Sequence, residues 1–364
     1  MRLFQNAGLY RAYLARLNRL ARDSSSFEFS KQAFLSDRFG ACHILGPILE
    51  GHENAFFTNG DDAQLQGLWA RENGLRSNAA LEDILLAQIE HHRAEVFYNS
   101  DPMRYGSAFV RRLPACVKTT IAWRAAPSPG ADFGAYGAIV CNFPSILQTY
   151  RSVGWRAEYF APAHDPEMDR YSANTDRPID VLFVGGYSRH HTQRAVTLEK
   201  VASVADHANV VFCLDRSRLT RLAESPLGKM LPLRSHQRPS LIRAVSHAPV
   251  FGRELYEMIS RSKLVLNGAV DMAGVDRGNM RCFEALGCGA LMVSDRGDYP
   301  EGMRDGETML LYDDADGARR VIRDALSQPD HLRKIASQGH AMVSTAYNKS
   351  AQWSSFIELV GRVQ

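Results

Sequence analysis

Short apolar runs alternate with amphipathic stretches along most of the chain. Runs such as Ala138–Cys141 and 210–214 have the length and the β-branched content of buried strands. Between such runs, stretches such as Leu81–His92 and 253–260 repeat their apolar residues at the spacing of one helix face. Alternating strands and helices are typical of parallel sheets covered by helices, so the pattern predicts an α/β fold.

The start of the chain, over residues 2–22, fits a helix with two contrasting faces. One face is apolar and the other is basic: Leu3, Ala7, Tyr10, Leu14, Leu17 and Ala21 oppose Arg11, Arg19 and Arg22. We therefore predict a basic amphipathic N-terminal helix. Two hypotheses stay open for it: the apolar face packs on the domain, or the helix makes peripheral contact with the inner face of a membrane.

The composition and periodicity of the sequence change over residues 161–180. This segment contains three proline residues, is rich in polar residues and lacks apolar periodicity, as linkers do. A chain of 364 residues also has room for two domains. We predict an N-terminal Rossmann-like domain over 1–160, a C-terminal Rossmann-like domain over 181–345 and a terminal helix over 346–364.

Composition narrows the classes of function. Lys and Arg number 43 against 40 Asp and Glu, and a net charge of +3 gives no reason to expect nucleic acid as a partner. The six cysteines lack metal-ligand spacing, and no apolar run reaches the length of a membrane span. We expect a cytoplasmic protein without a metal site. The triplet Asp314-Ala315-Asp316 has a DxD pattern, but its place at a predicted helix start favours capping.

The first motif with chemical content is VLFVGGYSRHHTQR, residues 181–194. An apolar strand leads into Gly185 and Gly186, and a helix follows. Glycines let the backbone approach a ligand, and a helix N-terminus offers N–H groups to phosphate oxygens. Arg189 and Arg194 can add bidentate contacts to a phosphate.

The second motif, DRGNMRCFEALGCGALMVSD over residues 276–295, is more specific. A polar loop enters a helix that carries Arg281 and Glu284, and the helix ends at a glycine turn before the next strand. The helix start supplies N–H donors for a diphosphate. Glu284 lies in the first turns, where its carboxylate can accept hydrogen bonds from ribose hydroxyls.

A third motif, YPEGMRDGETMLLYDD over residues 299–314, follows that strand. Together, the second and third motifs resemble the C-terminal domain of GT-B glycosyltransferases of the group 1 type, and in detail their spore-maturation-type relatives. Asp276 and Glu284 match the family's E-x7-E spacing. Further matches follow in the family's order: Ala285, Cys288, Gly289, Asp295, Pro300-Glu301 and Asp305-Gly306.

This resemblance implies a GT-B fold, with two Rossmann-like domains that face each other across a cleft. It implies a nucleotide-sugar donor as substrate, no other cofactor and no divalent metal. Glu284 then contacts the donor ribose. The other expected donor-binding residues are Gly185, Gly186, Arg189, Arg194, Arg277, Asn279, Met280 and Arg281. The family has Glu where this chain has Asp276, so the predicted contact of Asp276 with the sugar and the stereochemistry stay open.

An inverting glycosyltransferase also needs a base in its N-terminal half for the acceptor hydroxyl. The candidates are Asp101, in FYNSDP after a predicted strand, and His164 or Asp165 at the hinge. The sequence therefore predicts a glycosyltransferase that acts on a glycan, a lipid-linked or a protein acceptor. Two alternatives remain: a nucleotide-sugar epimerase of the same fold, and a non-catalytic relative that binds nucleotides or glycans.

Overall fold

The structure of the chain, a computed structural model, describes the residues 1–22, 25–76, 78–187, 192–226, 228, 233, 236–268 and 274–363. They fall into two compact units. Unit 1 is drawn from Met1–Asp165, Met272–Asp276 and Tyr347–Gln364, and unit 2 from Pro166–Asp271 and Arg277–Ala346.

Unit 1 is built on a parallel sheet with the strand order β2-β1-β3-β4-β5-β6. Its strands are β1 Leu3–Asn6, β2 Ala55–Thr58, β3 Val96–Asn99, β4 Thr119–Trp123, β5 Ala138–Cys141 and β6 Ala157–Tyr159. The α-helices of unit 1 that precede unit 2 in the sequence are α1 Leu14–Leu20, α2 Phe27–Ser36, α3 Gly46–Leu49, α4 Ala63–Glu72, α5 Leu81–His92, α6 Ser107–Val110 and α7 Pro144–Ser152. A short 3-10 helix spans Ala41–His43.

Unit 2 contains a second parallel sheet, ordered β12-β11-β10-β7-β8-β9. Its strands are β7 Ile179–Gly186, β8 Val210–Asp215, β9 Ser246–His247, β10 Ser262–Leu266, β11 Leu291–Asp295 and β12 Leu310–Tyr312. Its helices are α8 Asp169–Ser172, α9 Thr192–Ala202, α10 Arg218–Ala223, α11 Ser240–Ala244, α12 Gly252–Ser260, α13 Met280–Gly287, α14 Ala315–Ser327 and α15 Pro329–Ala346. Two 3-10 helices span Pro166–Met168 and Ser203–Asp206. The predicted α/β class is confirmed.

The predicted helix over residues 2–22 is wrong. Residues Leu3–Asn6 form β1, which pairs with β2 on one side and β3 on the other, and the helix that follows covers only Leu14–Leu20. A central strand of a parallel sheet is buried on both faces, and so short a run cannot be told from a helix by periodicity. The hypothesis of membrane contact loses the helix on which it was based.

The C-terminal helix, Lys349–Val363, packs as part of unit 1. Its Phe356 is fully buried, and the ring lies 5.2 Å from that of Tyr98 and 5.8 Å from that of Phe160, measured between centroids. The Lys349 ammonium is buried as well, and it donates to the main-chain carbonyls of Ala41 and Ile44 at 2.7 Å each. The last residues of the sequence therefore complete the core of the first unit.

We predict that Phe356→Ala lowers the free energy of unfolding by about 3–5 kcal/mol, because it leaves a cavity among aromatic rings. The matched control is Ile357→Ala in the same helix, whose side chain is 42% exposed. Chemical denaturation measures both variants. Equal losses for the two variants would show that the helix is not anchored through Phe356.

Candidate active site

Unit 2 has a topological switch point between β7 and β10. From β7 the chain adds β8 and β9 on one side of the sheet, and β10, β11 and β12 on the other. At such a point the loops after the two central strands diverge and leave a crevice in which ligands of open α/β sheets bind. Strand β7 ends at Gly186 and β10 ends at Leu266. The predicted donor residues Gly185 and Gly186 therefore border this crevice.

A cavity of about 440 Å³ opens at this edge of unit 2. Its walls come from β7, β10, β11 and β12 and from the first parts of α9 and α14. The charged and polar residues of the wall include Arg194, Lys200, Asn267, Asp295, Asp313 and Asp316. The volume lies in the usual range for small-molecule sites, roughly 300–1,000 Å³. The cavity can therefore take a polar ligand of nucleotide size.

Asn267, directly after β10, joins three segments around the cavity. Its Nδ2 donates to the Ser294 hydroxyl at 3.2 Å, and its Oδ1 accepts from Asn279 Nδ2 at 3.2 Å. The Tyr312 hydroxyl donates to the Asn267 carbonyl at 3.0 Å. Sequence reasoning missed Asn267 and Tyr312. The available signal was a polar residue placed immediately after a buried strand.

Arg194 contributes to the same edge. Its Nη2 donates to the carbonyl of Gly268 at 2.9 Å, which ties α9 to the loop after β10. Glycine at position 185 avoids a tight contact, because a Cβ there would lie 3.1 Å from the Phe183 ring. Arg189, the other predicted phosphate contact in this motif, lies outside the described residues.

Arg277 is held by protein groups. Its Nε lies 2.8 Å from Asp295 Oδ2, and its Nη2 donates to the Arg296 carbonyl at 3.2 Å. Both side chains of the ion pair are mostly buried, at 13% and 21% exposure. The guanidinium is therefore oriented by Asp295 at the cavity wall, a partner that the sequence did not reveal.

Glu284 and Arg281 form an ion pair one helical turn apart in α13. Arg281 Nη1 lies 2.7 Å from Glu284 Oε2, and Glu284 is only 2% exposed. Burial raises the pKa of Glu284, and the charge of Arg281 opposes that shift. The two residues are brought together as the motif predicted, but the carboxylate points to a protein partner and is nearly closed to solvent.

The N-terminus of α13 is not capped by its own N-cap side chain. Asn279 occupies the N-cap position but directs its amide to Asn267, and Met280 is the first helical residue. The N–H groups of a first helical turn carry partial positive charge and attract anions. The predicted residues Asn279, Met280 and Arg281 thus lie together at a helix start suited to a phosphate.

Asp276 belongs to unit 1 and caps a different helix. Its Oδ2 accepts hydrogen bonds from the Ser145 main-chain N–H at 2.7 Å and from the Ser145 hydroxyl, at the start of α7. The side chain is 4% exposed. Capping explains a carboxylate at this position in structural terms, and the contact of Asp276 with a donor sugar stays a prediction.

Unit 1 has its own switch point, between β1 and β3. Asparagines bridge the strand ends there. Asn6 Nδ2 donates to Asn99 Oδ1 at 2.9 Å, and Asn6 Oδ1 accepts from the Gly60 N–H at 2.8 Å. Asn59 Nδ2 donates to the Ala7 carbonyl at 3.1 Å. All three asparagines are buried, so they fix the loops after β1, β2 and β3 relative to one another.

Asp101 lies in one of these loops. Its N–H donates to Asn99 Oδ1 at 2.9 Å, and its carboxylate lies 3.8 Å from the Arg104 guanidinium. Asp61, which sequence reasoning missed, follows β2 and accepts from the Leu9 N–H at 2.9 Å. Burial raises the pKa of each carboxyl, and the Asp101 charge raises that of Asp61 further. The sequence signal that could have indicated Asp61 was an Asn-Gly-Asp turn after a strand.

His164, another predicted base, is buried in unit 1. The residue is 2% exposed, and its main-chain N–H donates to the Tyr347 carbonyl at 2.7 Å. Asp101 is more exposed than His164, and the role of each as a base stays a prediction.

Two kinds of feature are absent from the residues that the structure describes. None of their helices is both long and apolar enough to cross a membrane. Within the same residues, no group of three or more His, Cys, Asp or Glu side chains could hold a metal ion. Asp314 is the N-cap of α14 and accepts from the Gly317 N–H at 2.6 Å, as predicted for the DxD triplet.

Comparison with known proteins shows what this arrangement is similar to. Residues 189–358 match the family model described as Glycosyl transferase-like. The fold is similar to that of HepE from Anabaena, solved with UDP and glucose, at a TM-score of 0.59 and 12% identity over 99% of each chain. Residues 189–358 are similar to glycosyl transferase-like domains, and the chain has a GT-B fold. The resemblance predicted from residues 276–306 is confirmed.

Other structures place this GT-B protein in the same fold group. A glycosyltransferase from Rickettsia africae has a TM-score of 0.54 and 10% identity, and the match covers 99% of this chain and 98% of that one. Sucrose-phosphate synthase from Thermosynechococcus elongatus gives 0.50 and 13%, over 78% and 77%. No curated protein matches the sequence.

We predict that Arg281→Met lowers the free energy of unfolding by about 3 kcal/mol at pH 7, because it leaves a buried carboxylate without its partner. Loss of Arg281 raises the pKa of Glu284, so protonation removes the uncompensated charge and the deficit shrinks as the pH falls from 7 to 5. Denaturation at both pH values measures it.

The matched control is Arg333→Met, which removes an exposed ion pair of the same spacing with Asp330. Exposed pairs contribute little, so this variant should stay within about 0.5 kcal/mol of the parent. An Arg281→Met deficit that does not change with pH would contradict the role assigned to Glu284.

Proposed function

We propose that the protein is a glycosyltransferase whose unit 2 binds a UDP-sugar and whose unit 1 binds the acceptor. The observation that carries this proposal is the cavity at the switch point of unit 2, next to the uncapped start of α13. A nucleoside diphosphate needs both features: a recess for the nucleoside, and N–H groups for its phosphates. HepE, which shares the fold, was solved with UDP-glucose.

The donor site has a division of roles in this proposal. The N–H groups at Asn279, Met280 and Arg281 receive the diphosphate. Arg194 and the Arg277–Asp295 pair line or border the recess, where they supply charge held in fixed positions. Preoriented donors of this kind stabilise the negative charge that develops on a leaving diphosphate. Glu284 accepts hydrogen bonds from the ribose, which requires its carboxylate to turn partly from Arg281.

The acceptor is a hydroxyl of a glycan, a lipid-linked sugar or a protein. Its oxygen forms the new bond to the anomeric carbon, the bond from that carbon to the diphosphate breaks, and the electron pair leaves with the diphosphate. The hydroxyl proton goes to a base at the carboxyl edge of unit 1, where Asp101 is the candidate that the sequence predicts. Asp276 stays proposed as a contact to the donor sugar.

Donor binding is tested by calorimetry and thermal shift with UDP, UDP-glucose and other nucleotide sugars. A ligand at 100 times its Kd stabilises the folded protein by about 2.7 kcal/mol, so the midpoint should rise by a few degrees. The absence of any shift with every nucleotide sugar would refute the proposal.

Release of free epimerised nucleotide sugar would instead support an epimerase. EDTA should leave transfer unchanged, since the family resemblance implies no divalent metal.

We predict that Glu284→Gln weakens UDP-glucose binding roughly 10- to 100-fold, the effect of losing charged hydrogen bonds to a ligand. Glu307→Gln in the same unit, where the side chain is 63% exposed, should bind as the parent does. Circular dichroism confirms that both variants are folded. An unchanged Kd for Glu284→Gln would remove Glu284 from the donor site.

A further inference from the structure

Asp61 and Asp101 converge on the same backbone segment of unit 1. Asp61 accepts the Leu9 N–H with both carboxylate oxygens, at 2.9 and 3.2 Å. Asp101 lies against the preceding residue, because a Cβ on Gly8 would be 3.1 Å from its Oδ2. The two carboxylates therefore flank Gly8 and Leu9 at the switch point between β1 and β3. A side chain at position 8 would therefore crowd Asp101.

The environments of the two carboxylates differ. Asp101 faces two cations, Arg104 at 3.8 Å and Arg124, which both favour its charged form. Asp61 faces the negative charge of Asp101, and of these two cations it feels only Arg104. The Tyr105 phenol is near both carboxylates, whereas the Tyr136 phenol is near Asp101 only. The additional cation beside Asp101 favours its charged form, so the two residues are suited to different tasks.

A second observation points to a ligand at this place. The Tyr105 side chain is fully buried, yet its hydroxyl has no hydrogen-bond partner among the described residues. That hydroxyl is close to the Asp61 loop, because a Cβ on Gly60 would lie 2.9 Å from it. Asn59 Oδ1, in the same turn, is also buried and without a partner in that part of the chain. Buried polar groups in native proteins are nearly always satisfied, so a bound hydroxyl or water is expected beside them.

We propose that Asp61, next to Asp101, is the residue that takes the proton of the acceptor hydroxyl. Asp101, beside Arg104, acts as a positioning residue. Tyr105 and Asn59 hold hydroxyls of the incoming polyol. The hydroxyl oxygen bonds to the anomeric carbon, the diphosphate leaves with the electron pair of the broken bond, and the proton moves to Asp61.

This inference rests on the proposed function and assigns its base to a residue other than Asp101. The proposed function and the assignment of Asp61 can fail separately, because UDP-glucose binding tests the donor site of unit 2 without reference to unit 1. The variants are Asp61→Asn and Asp101→Asn. The matched control is Asp62→Asn: Asp62 caps α4 through the N–H groups of Gln64 and Leu65, and Asn is an equally good cap.

The first measurement is the rate of UDP release from UDP-glucose, with water as the acceptor, as a function of pH. Asp61→Asn should slow release at least about 100-fold, the effect of losing a general base, with the Kd for UDP-glucose within twofold of the parent. Asp101→Asn should keep part of the rate and move the acid limb of the profile to lower pH. Asp62→Asn should match the parent. Full activity in Asp61→Asn would overturn the proposal.

The second measurement does not need turnover. Carboxyl carbon NMR of the protein with labelled aspartate follows the titration of Asp61, whose resonance is identified by its loss in Asp61→Asn. The Asp61 midpoint should lie above the usual value near 4 and should fall in Asp101→Asn, because the neighbouring negative charge is gone. An Asp61 midpoint that Asp101→Asn leaves unchanged would overturn the pairing, even if no donor is bound.

Discussion

Every described strand of each sheet runs parallel to its neighbours, and this constraint determines where the chemistry of each unit can lie. Parallel strands all end at one edge, where their loops leave the sheet together. At the switch point the loops separate to the two faces, and backbone groups there remain open to a ligand. In unit 1 this point lies between β1 and β3, and in unit 2 between β7 and β10. The residues proposed to bind or react are mostly grouped around these two points.

Both units use asparagine to stabilise the edge. Asn6 bridges the ends of β1 and β3 and the loop after β2 in unit 1. Asn267 bridges β10, β11 and the loop before α13 in unit 2. An amide side chain both donates and accepts, so one residue can satisfy groups on two neighbouring segments. The buried amides hold the loops in one arrangement, and a site assembled from them is preorganised for its ligand.

Much of the fold followed from local pattern. Buried strands such as β5 and β8 carry continuous apolar runs, and the motif over 276–306 carries the family resemblance that the domain match confirms. Strand β1 was not predicted from the sequence. All four of its residues are buried and two of them are polar, so they do not show the apolar and polar pattern of a strand. Its Gln5 and Asn6 are tolerated inside only because other segments, far along the chain, supply their hydrogen bonds.

The contacts of the site residues could be predicted from the sequence to differing degrees. Helix α13 brings Arg281 and Glu284 together by spacing alone, so local sequence was sufficient. The partners of Arg277 and Asp276 depend on tertiary contacts with Asp295 and Ser145, and Asp61 meets Asp101 only through the sheet order. Such pairings join residues that the sequence separates widely, and no spacing rule indicates them.

The central claim is that a nucleotide diphosphate binds at the carboxyl edge of unit 2. Hydrogen–deuterium exchange with and without saturating UDP tests it most directly, because it reports on each backbone segment. The account predicts slower exchange at the start of α13 and in the loop after β10, around Asn267 and Gly268. Protection confined to other segments, with these two unchanged, would contradict the account.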